Sequence, residues 1–288
     1  MSITYRRLNP LTREIRLLEI QPAHNLEDPI KSRLITFRHH EDLEYIAISS
    51  LYGEASDTET VYVSRRAVTI TTHLAQALKH VRAFFYQTTA QKQRPLPERL
   101  LTGAPRWVKH LFDLSGSYTR DGELDHPGVL RVWLDILCVN QNDDWEKSKQ
   151  HVEMKYIYDY ADLVVGWLGE KAEHTDAAIA VMAEIDDVMP RSWGEPGDRE
   201  KNPEDYSPTH RWAESIMHMW APGPNGQLAS TMPHWIGCCE FMTRQYFQRR
   251  WIIEEIATAK FPAFLVGDSL VPWKHALTLY RVMDEFSI

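Results

Sequence analysis

The sequence predicts an α/β fold: a mostly parallel sheet with helices on both faces, elaborated by helical and loop insertions. Three observations carry that prediction. Short apolar runs such as "EYIAIS" (Glu44–Ser49), "ADLVVGWLG" and "FPAFLVG" have the length and continuity of strands buried on both faces. Between them lie segments with apolar residues at i, i+3, i+4 and i+7, the period of an amphipathic helix. Strand-like and helix-like segments then alternate along the chain, as they do in βαβ units. The length of 288 residues suits one large or two small domains, and a hydrophobic fraction of 43% can fill a sizeable core.

The elements follow in order. The N-terminal segment has alternating apolar residues at Ile15, Leu17 and Ile20, and "EYIAIS" is the first buried strand. "SLYGEASDTE" is a loop, and "TVYVSRRAVTITTHLAQALKHVRAFF" is a short hairpin feeding a helix that Thr71 or Thr72 can cap and that carries Leu74, Leu78 and Val81. Gln87 to Pro105 is a Pro-rich polar loop. "RVWLDILCVNQ" is a strand, and Asp143 or Asp144 caps a helix with Met154, Ile157, Tyr158 and Ala161 on one face. After the strand "ADLVVGWLG", Thr175 caps the helix "DAAIAVMAEIDDVM". "PRSWGEPGDREKNPEDYSP" and "APGPNGQLAST" are long loops, two or three helices occupy His210 to Ala259, and "VPWKHALTLYRVMDEF" is a last helix after the strand "FPAFLVG".

Composition excludes several classes. A net charge of −8, with only short basic stretches at Arg65-Arg66 and Arg249-Arg250, argues against a nucleic-acid surface. Three cysteines without a CxxC make neither a disulfide framework nor a zinc site, which fits a reducing compartment. The N-terminus is too charged for a signal peptide, and no apolar run approaches the roughly 20 residues of a membrane span. The expectation is a cytoplasmic protein with no membrane span, no metal and no cofactor.

Parallel sheets bind ligands beyond the carboxyl ends of their strands, so "SSLYGE" and "CVNQND" are the segments to watch. Asp135 is the oddity, a carboxylate inside an apolar run read as a strand. A buried charge needs partners. Asp135 is either an anchor accepting bonds from Ser49, Ser50 or Arg250, or a ligand group for ribose hydroxyls. Asn140 and Gln141 read as turn-tying amides. Cys138 reads as a small buried residue, and the stripe His210, Glu214, His218 as a solvated helix face rather than a metal site. Tyr52 and Gly53 form a turn bordering the possible pocket. The Trp and Tyr residues of the helix around Lys149–Tyr160 read as core.

Three blocks carry a family resemblance: "YIAISSLYG", "VWLDILCVNQNDDWEKSKQHVEMKYIYDYADLVVGWLG" and "YFQRRWIIEEIATAKFPAFLVGDSLVPWKH". In that order they resemble the fungal heterokaryon incompatibility (HET) domain, from about Tyr45 to His275. The first block departs from the family pattern, with Ser49-Ser50-Leu51-Tyr52-Gly53 where Ser-Tyr-x-Trp-Gly is usual. The third departs too, with Glu254-Glu255 where Gln-Glu is usual. The resemblance implies a single domain over 1–288 with a core of about 44–276, an N-terminal extension over 1–43 and a C-terminal helix. It also implies a role in self/non-self recognition and programmed cell death.

HET domains are in turn similar to TIR domains, which have a flavodoxin-like fold and include enzymes that cleave NAD with a glutamate. That glutamate lies four residues after a Trp, as Glu255 does after Trp251. On a helix this spacing puts both on one face. The resemblance therefore implies Glu255 as the catalytic residue, with Ser49, Ser50, Tyr52, Gly53, Asp135, Arg250 and Trp251 around the substrate and NAD as substrate rather than cofactor. A surface Glu favoured by a helix N-terminus is the plain alternative. Two functions stay open: an NAD hydrolase, and a non-catalytic death-signalling module acting through self-association and an unidentified partner protein.

Overall fold

The computed structural model describes residues 3–9, 11–86, 98–102, 104–112, 128–221, 226, 228–249 and 255–286. The chain divides into two compact units, Met1–Gly169 with Arg249–Leu270, and Glu170–Gln248 with Val271–Ile288.

The first unit is built on a sheet of nine strands in the order β5-β4-β2-β1-β6-β3-β7-β8-β9 among the described residues. They are β1 (Glu14–Ile20), β2 (Lys31–Arg38), β3 (Ile46–Ser50), β4 (Thr58–Val63), β5 (Arg66–Thr71), β6 (Leu130–Trp133), β7 (Leu163–Trp167), β8 (Pro262–Val266) and β9 (Ser269–Pro272). The sheet is mixed, which corrects the expectation of a mostly parallel one. β3 runs parallel to β6 and β7, and β7 parallel to β8, as expected of apolar strands joined by helical crossovers. β1, however, is antiparallel to both β2 and β6, and β4 to β5. The physical reason is connection length: β1–β2 and β4–β5 are joined directly, without a crossover, and such links favour antiparallel neighbours. Ser64 and Arg65 make the tighter of these turns with φ of 49° and 65°, the left-handed pair a two-residue hairpin requires.

The segment ahead of Glu44 therefore supplies two strands. In β1 even Arg16 and Glu19 are buried. Helix α1 (Thr72–Tyr86) follows β5 as the periodicity predicts, with Leu74, Leu78 and Val81 buried. The stretch Gln87–Pro105 lies largely outside the described residues. Helix α2 (Arg106–Phe112) follows it.

The apolar run holding Asp135 is not one strand. β6 ends at Trp133, and Asp135–Cys138 is a helical turn, α3. The carboxylate thus lies past the strand, where it can be solvated. Helix α4 (Asp144–Tyr160) begins with Asp143 as its cap, whose side chain accepts from the Glu146 amide at 3.0 Å. The Glu146 carboxylate turns back instead to the Asn140 amide at 2.7 Å and to Arg16 of β1 at 2.6 and 2.8 Å. Arg16 also donates to the Cys138 carbonyl at 3.0 Å. The pair, both side chains almost fully buried, holds the α3–α4 corner on the sheet.

Apart from the last two residues of β9, the regular structure of the second unit among its described residues is helical, with α5 (Thr175–Val188), α6 (Asp198–Lys201), α7 (Arg211–Ile216), α8 (Pro233–Met242) and the last helix Trp273–Glu285. Thr175 is the first residue of α5 rather than its cap, and its hydroxyl accepts from the Ala172 amide at 2.9 Å. Gly237 lets α8 meet the start of α5, because a Cβ there would stand 2.1 Å from the His174 carbonyl oxygen. The polar stretch Pro190–Pro208 is not a bare loop. It contains α6, and its Trp193 and Tyr206 rings stack at 5.1 Å.

Candidate functional site

The parallel half of the sheet positions the site. β3 and β6 are neighbours running the same way, so Ser49 and Ser50 at the end of β3 lie beside the α3 turn that follows β6. Glu255 belongs to a short helical segment ahead of β8. Its Oε2 accepts a hydrogen bond from the Ser49 hydroxyl, and Tyr158 of α4 hydrogen-bonds the same carboxyl group. Ser49 is only 1% exposed. Burial raises the pKa of Glu255 above the ordinary value; Ser49, the positive charge of Arg249 and Tyr158 oppose that rise, and the negative charge of Asp135 adds to it.

Asp135 holds two bonds. Its Oδ1 accepts from the Ile136 amide at 2.7 Å, and its Oδ2 accepts from the Tyr52 hydroxyl. Tyr52 is itself half exposed, and burial of its hydroxyl beside Asp135 pushes its pKa upward. The loop carrying Tyr52 is tied at three points. Arg249 donates to the Ser50 carbonyl at 2.6 Å, and the Thr71 hydroxyl donates to the Tyr52 carbonyl. Gly53 takes φ of 78° with its Cα against His73, where a Cβ would stand 2.5 Å from the His73 Cβ.

Ser49, Ser50, Tyr52, Gly53, Asp135 and Glu255 therefore converge, through these bonds and charges, at the carboxyl ends of adjacent parallel strands. Asp135 takes its bonds from Tyr52 and its own turn rather than from Ser49 or Ser50. Arg250 and Trp251 lie outside the described residues. Two neighbours were not anticipated, Arg249 and Tyr158. The Arg249-Arg250 pair was visible, but nothing in the local pattern distinguished its members. A Tyr on the buried face of a helix needs a partner for its hydroxyl, a signal that was available for Tyr158.

The remaining candidates have other roles. The Gln141 side-chain amide donates to the carbonyls of Asp135 at 3.2 Å and Val139 at 3.3 Å, closing the α3 turn. Asn140 accepts from the Asn142 amide at 3.2 Å. Cys138 is buried, and desolvation pushes its thiol up to about 12, which makes it a poor nucleophile. His210 approaches Asp205 at 3.3 Å and His218 approaches Glu184 at 3.7 Å, and no cluster able to hold a metal occurs among the described residues. No helix among them is long and apolar enough to cross a membrane.

The family Heterokaryon incompatibility protein (HET) matches residues 117–255. The curated relative "Heterokaryon incompatibility protein 6, OR allele" of Neurospora crassa is 29% identical over 171 residues. That similarity covers 59% of this chain and 21% of the relative, so the chain spans only a small part of the relative's length. No solved structure matches. The matched segment includes β6, the α3–α4 corner, β7 and Glu255, and over that segment the chain is similar to the heterokaryon incompatibility (HET) family.

Proposed function

We propose that the chain acts in heterokaryon incompatibility, discriminating self from non-self in the cytoplasm and ending in cell death, and that it does so by hydrolysing NAD or a related nucleotide. The role is brought from the family and from the name of the Neurospora relative. The chemistry follows a TIR-like reading of the parallel half of the sheet. In the reaction the bond from ribose C1′ to the nicotinamide nitrogen breaks, and its electron pair leaves with nicotinamide, which departs neutral. Positive charge develops on the ribose, water adds to C1′, and one proton is released with ADP-ribose. Ionised Glu255 opposes the developing charge, as carboxylates do at glycosidic centres. Asp135 accepts from ribose hydroxyls once Tyr52 yields its bond.

The observation that supports this reading is the half-buried Glu255 carboxylate. It is held by hydroxyls beside a second acid at the edge where parallel sheets bind ligands. Since only the ionised form works, activity rises with pH through the raised pKa of Glu255. One observation favours a non-catalytic signalling module instead: Ser49 bonds Glu255 and Tyr52 bonds Asp135, so the polar groups satisfy one another without a ligand.

Glu255→Gln separates the two readings. Gln keeps the size and the acceptor for Ser49 but loses the charge. Nicotinamide release by concentrated protein should fall by roughly 10²–10⁴ and toxicity on expression should vanish, while the circular dichroism spectrum stays unchanged. Parent protein that kills cells yet releases no nicotinamide would overturn the enzymatic reading and leave the signalling module.

A further inference from the structure

Helix α4 is amphipathic the wrong way round. Its buried face carries Glu146, 3% exposed, and Gln150, 7% exposed, beside Ile157 and Tyr158. Its outer face carries Trp145, Val152 and Tyr156, which are 49%, 69% and 40% exposed. At about 100° per residue, Trp145, Lys149, Val152 and Tyr156 fall within about 60° of one another. This is one stripe along a helix of 17 residues. The aromatic residues expected to be core are therefore split: Tyr158 is buried, and Trp145 and Tyr156 face outward. Each outer aromatic is flanked by a cation, with the Arg7 guanidinium 5.2 Å from the Trp145 ring and the Arg13 guanidinium 5.2 Å from the Tyr156 ring. Exposed Trp and Tyr with Arg beside them is the composition of an interface centre, not of an ordinary solvated helix.

We infer that the outer face of α4 is a docking surface for a second copy of this chain, paired antiparallel about a two-fold axis near Gln150–His151. The argument for that occupant is self-complementarity. A two-fold axis perpendicular to the helix sets Trp145 of one copy against Tyr156 of the other and Lys149 against Val152, and each pair occurs twice. The Lys149 stem covers Val152, while its ammonium lies within reach of the other copy's Glu153. Aromatic meets aromatic, and a carboxylate meets an ammonium. A single helix about 25 Å long cannot cover the roughly 800 Å² a side of a standard interface, so the dimer is weak and concentration-dependent.

Sedimentation of the parent across about 1–500 µM tests this. The weight-average mass should rise toward that of a dimer. Val152→Glu, at a position with no core contact to lose, should weaken association at least tenfold with an unchanged melting temperature. Mixing Lys149→Cys with Val152→Cys under mild oxidation should give more covalent dimer than either variant or the parent gives alone. A parent that stays monomeric throughout overturns the proposal. So does a dimer that Val152→Glu leaves intact, or cross-linking no better in the mixture than in each variant alone. Because the readout is mass, these outcomes are independent of whether NAD is cleaved.

Discussion

Two glutamates in the same unit, Glu146 buried and Glu255 half-buried, have opposite surroundings. Glu146 meets the Arg16 guanidinium through both oxygens, at 2.6 and 2.8 Å, and also accepts from the Asn140 amide. Glu255 meets hydroxyls, from Ser49 and Tyr158, with Arg249 acting only through its field. A bidentate ion pair satisfies a carboxylate and commits it to holding the α3–α4 corner. Hydroxyls satisfy it weakly, and burial then raises its pKa and leaves its charge available for chemistry. The difference teaches that burial alone does not assign a role to an acid; the type of partner does.

The largest expected effect tests the structural side. Glu146→Gln, or Arg16→Met alone, should cost roughly 3–5 kcal/mol in denaturant unfolding, because each leaves the other group buried without its partner. Arg16→Met with Glu146→Leu should recover much of that loss. Glu255→Gln at neutral pH should leave the midpoint unchanged or raise it. The sign follows from the raised pKa: the folded protein holds the Glu255 proton more tightly than the unfolded chain, so stability falls as pH rises through the folded pKa. A loss on Glu255→Gln as large as that on Glu146→Gln would erase the contrast.

Gly53→Ala addresses the loop that borders Glu255. The left-handed backbone costs a non-glycine residue about 1–2 kcal/mol, and the new Cβ collides with His73. A loss of about 2 kcal/mol is expected, read in the same unfolding assay. A silent substitution would mean that the loop moves freely and that its bonds to Arg249 and Thr71 do not hold it.

The smallest effect concerns an intermediate case. Asp162 accepts from the Trp107 indole N–H at 3.1 Å, with the Lys260 ammonium 4.0 Å away. Burial raises its pKa to about 6 against those contacts. Between the unfolded value near 3.9 and about 6 the folded protein binds more protons, so the parent loses stability as pH rises through that window. Asp162→Asn keeps an acceptor for Trp107 and removes the titration. Its melting temperature should gain on the parent by a few degrees from pH 4 to 6 and then stay level, at roughly 2–4 °C per kcal/mol. A constant gap across the range would make the partner's identity irrelevant to Asp162.

The sequence by itself determined the apolar strands β3, β7 and β8, the β4–β5 hairpin feeding α1, an aspartate cap of α4 at Asp143 or Asp144 and the inert burial of Cys138. Each is local, since period, turn chemistry and capping act within a few residues. It also brought Ser49 and Asp135 forward, because strand ends in a parallel sheet are where polar residues collect. Only the tertiary structure decided that β1 inserts antiparallel beside β6, because alternation along one strand does not say which neighbour it pairs with. The tertiary structure also ended β6 at Trp133, since "VWLDILC" carries the same apolar count as strand or as helical turn. It separated Glu146 from Glu255, too. Arg16 lies 130 positions from Glu146 and Ser49 lies 206 positions from Glu255, so no local pattern links either acid to the partner that sets its role. The outward stripe on α4 has the same origin: once Arg16 drew Glu146 inward, the helix could only turn Trp145, Val152 and Tyr156 outward.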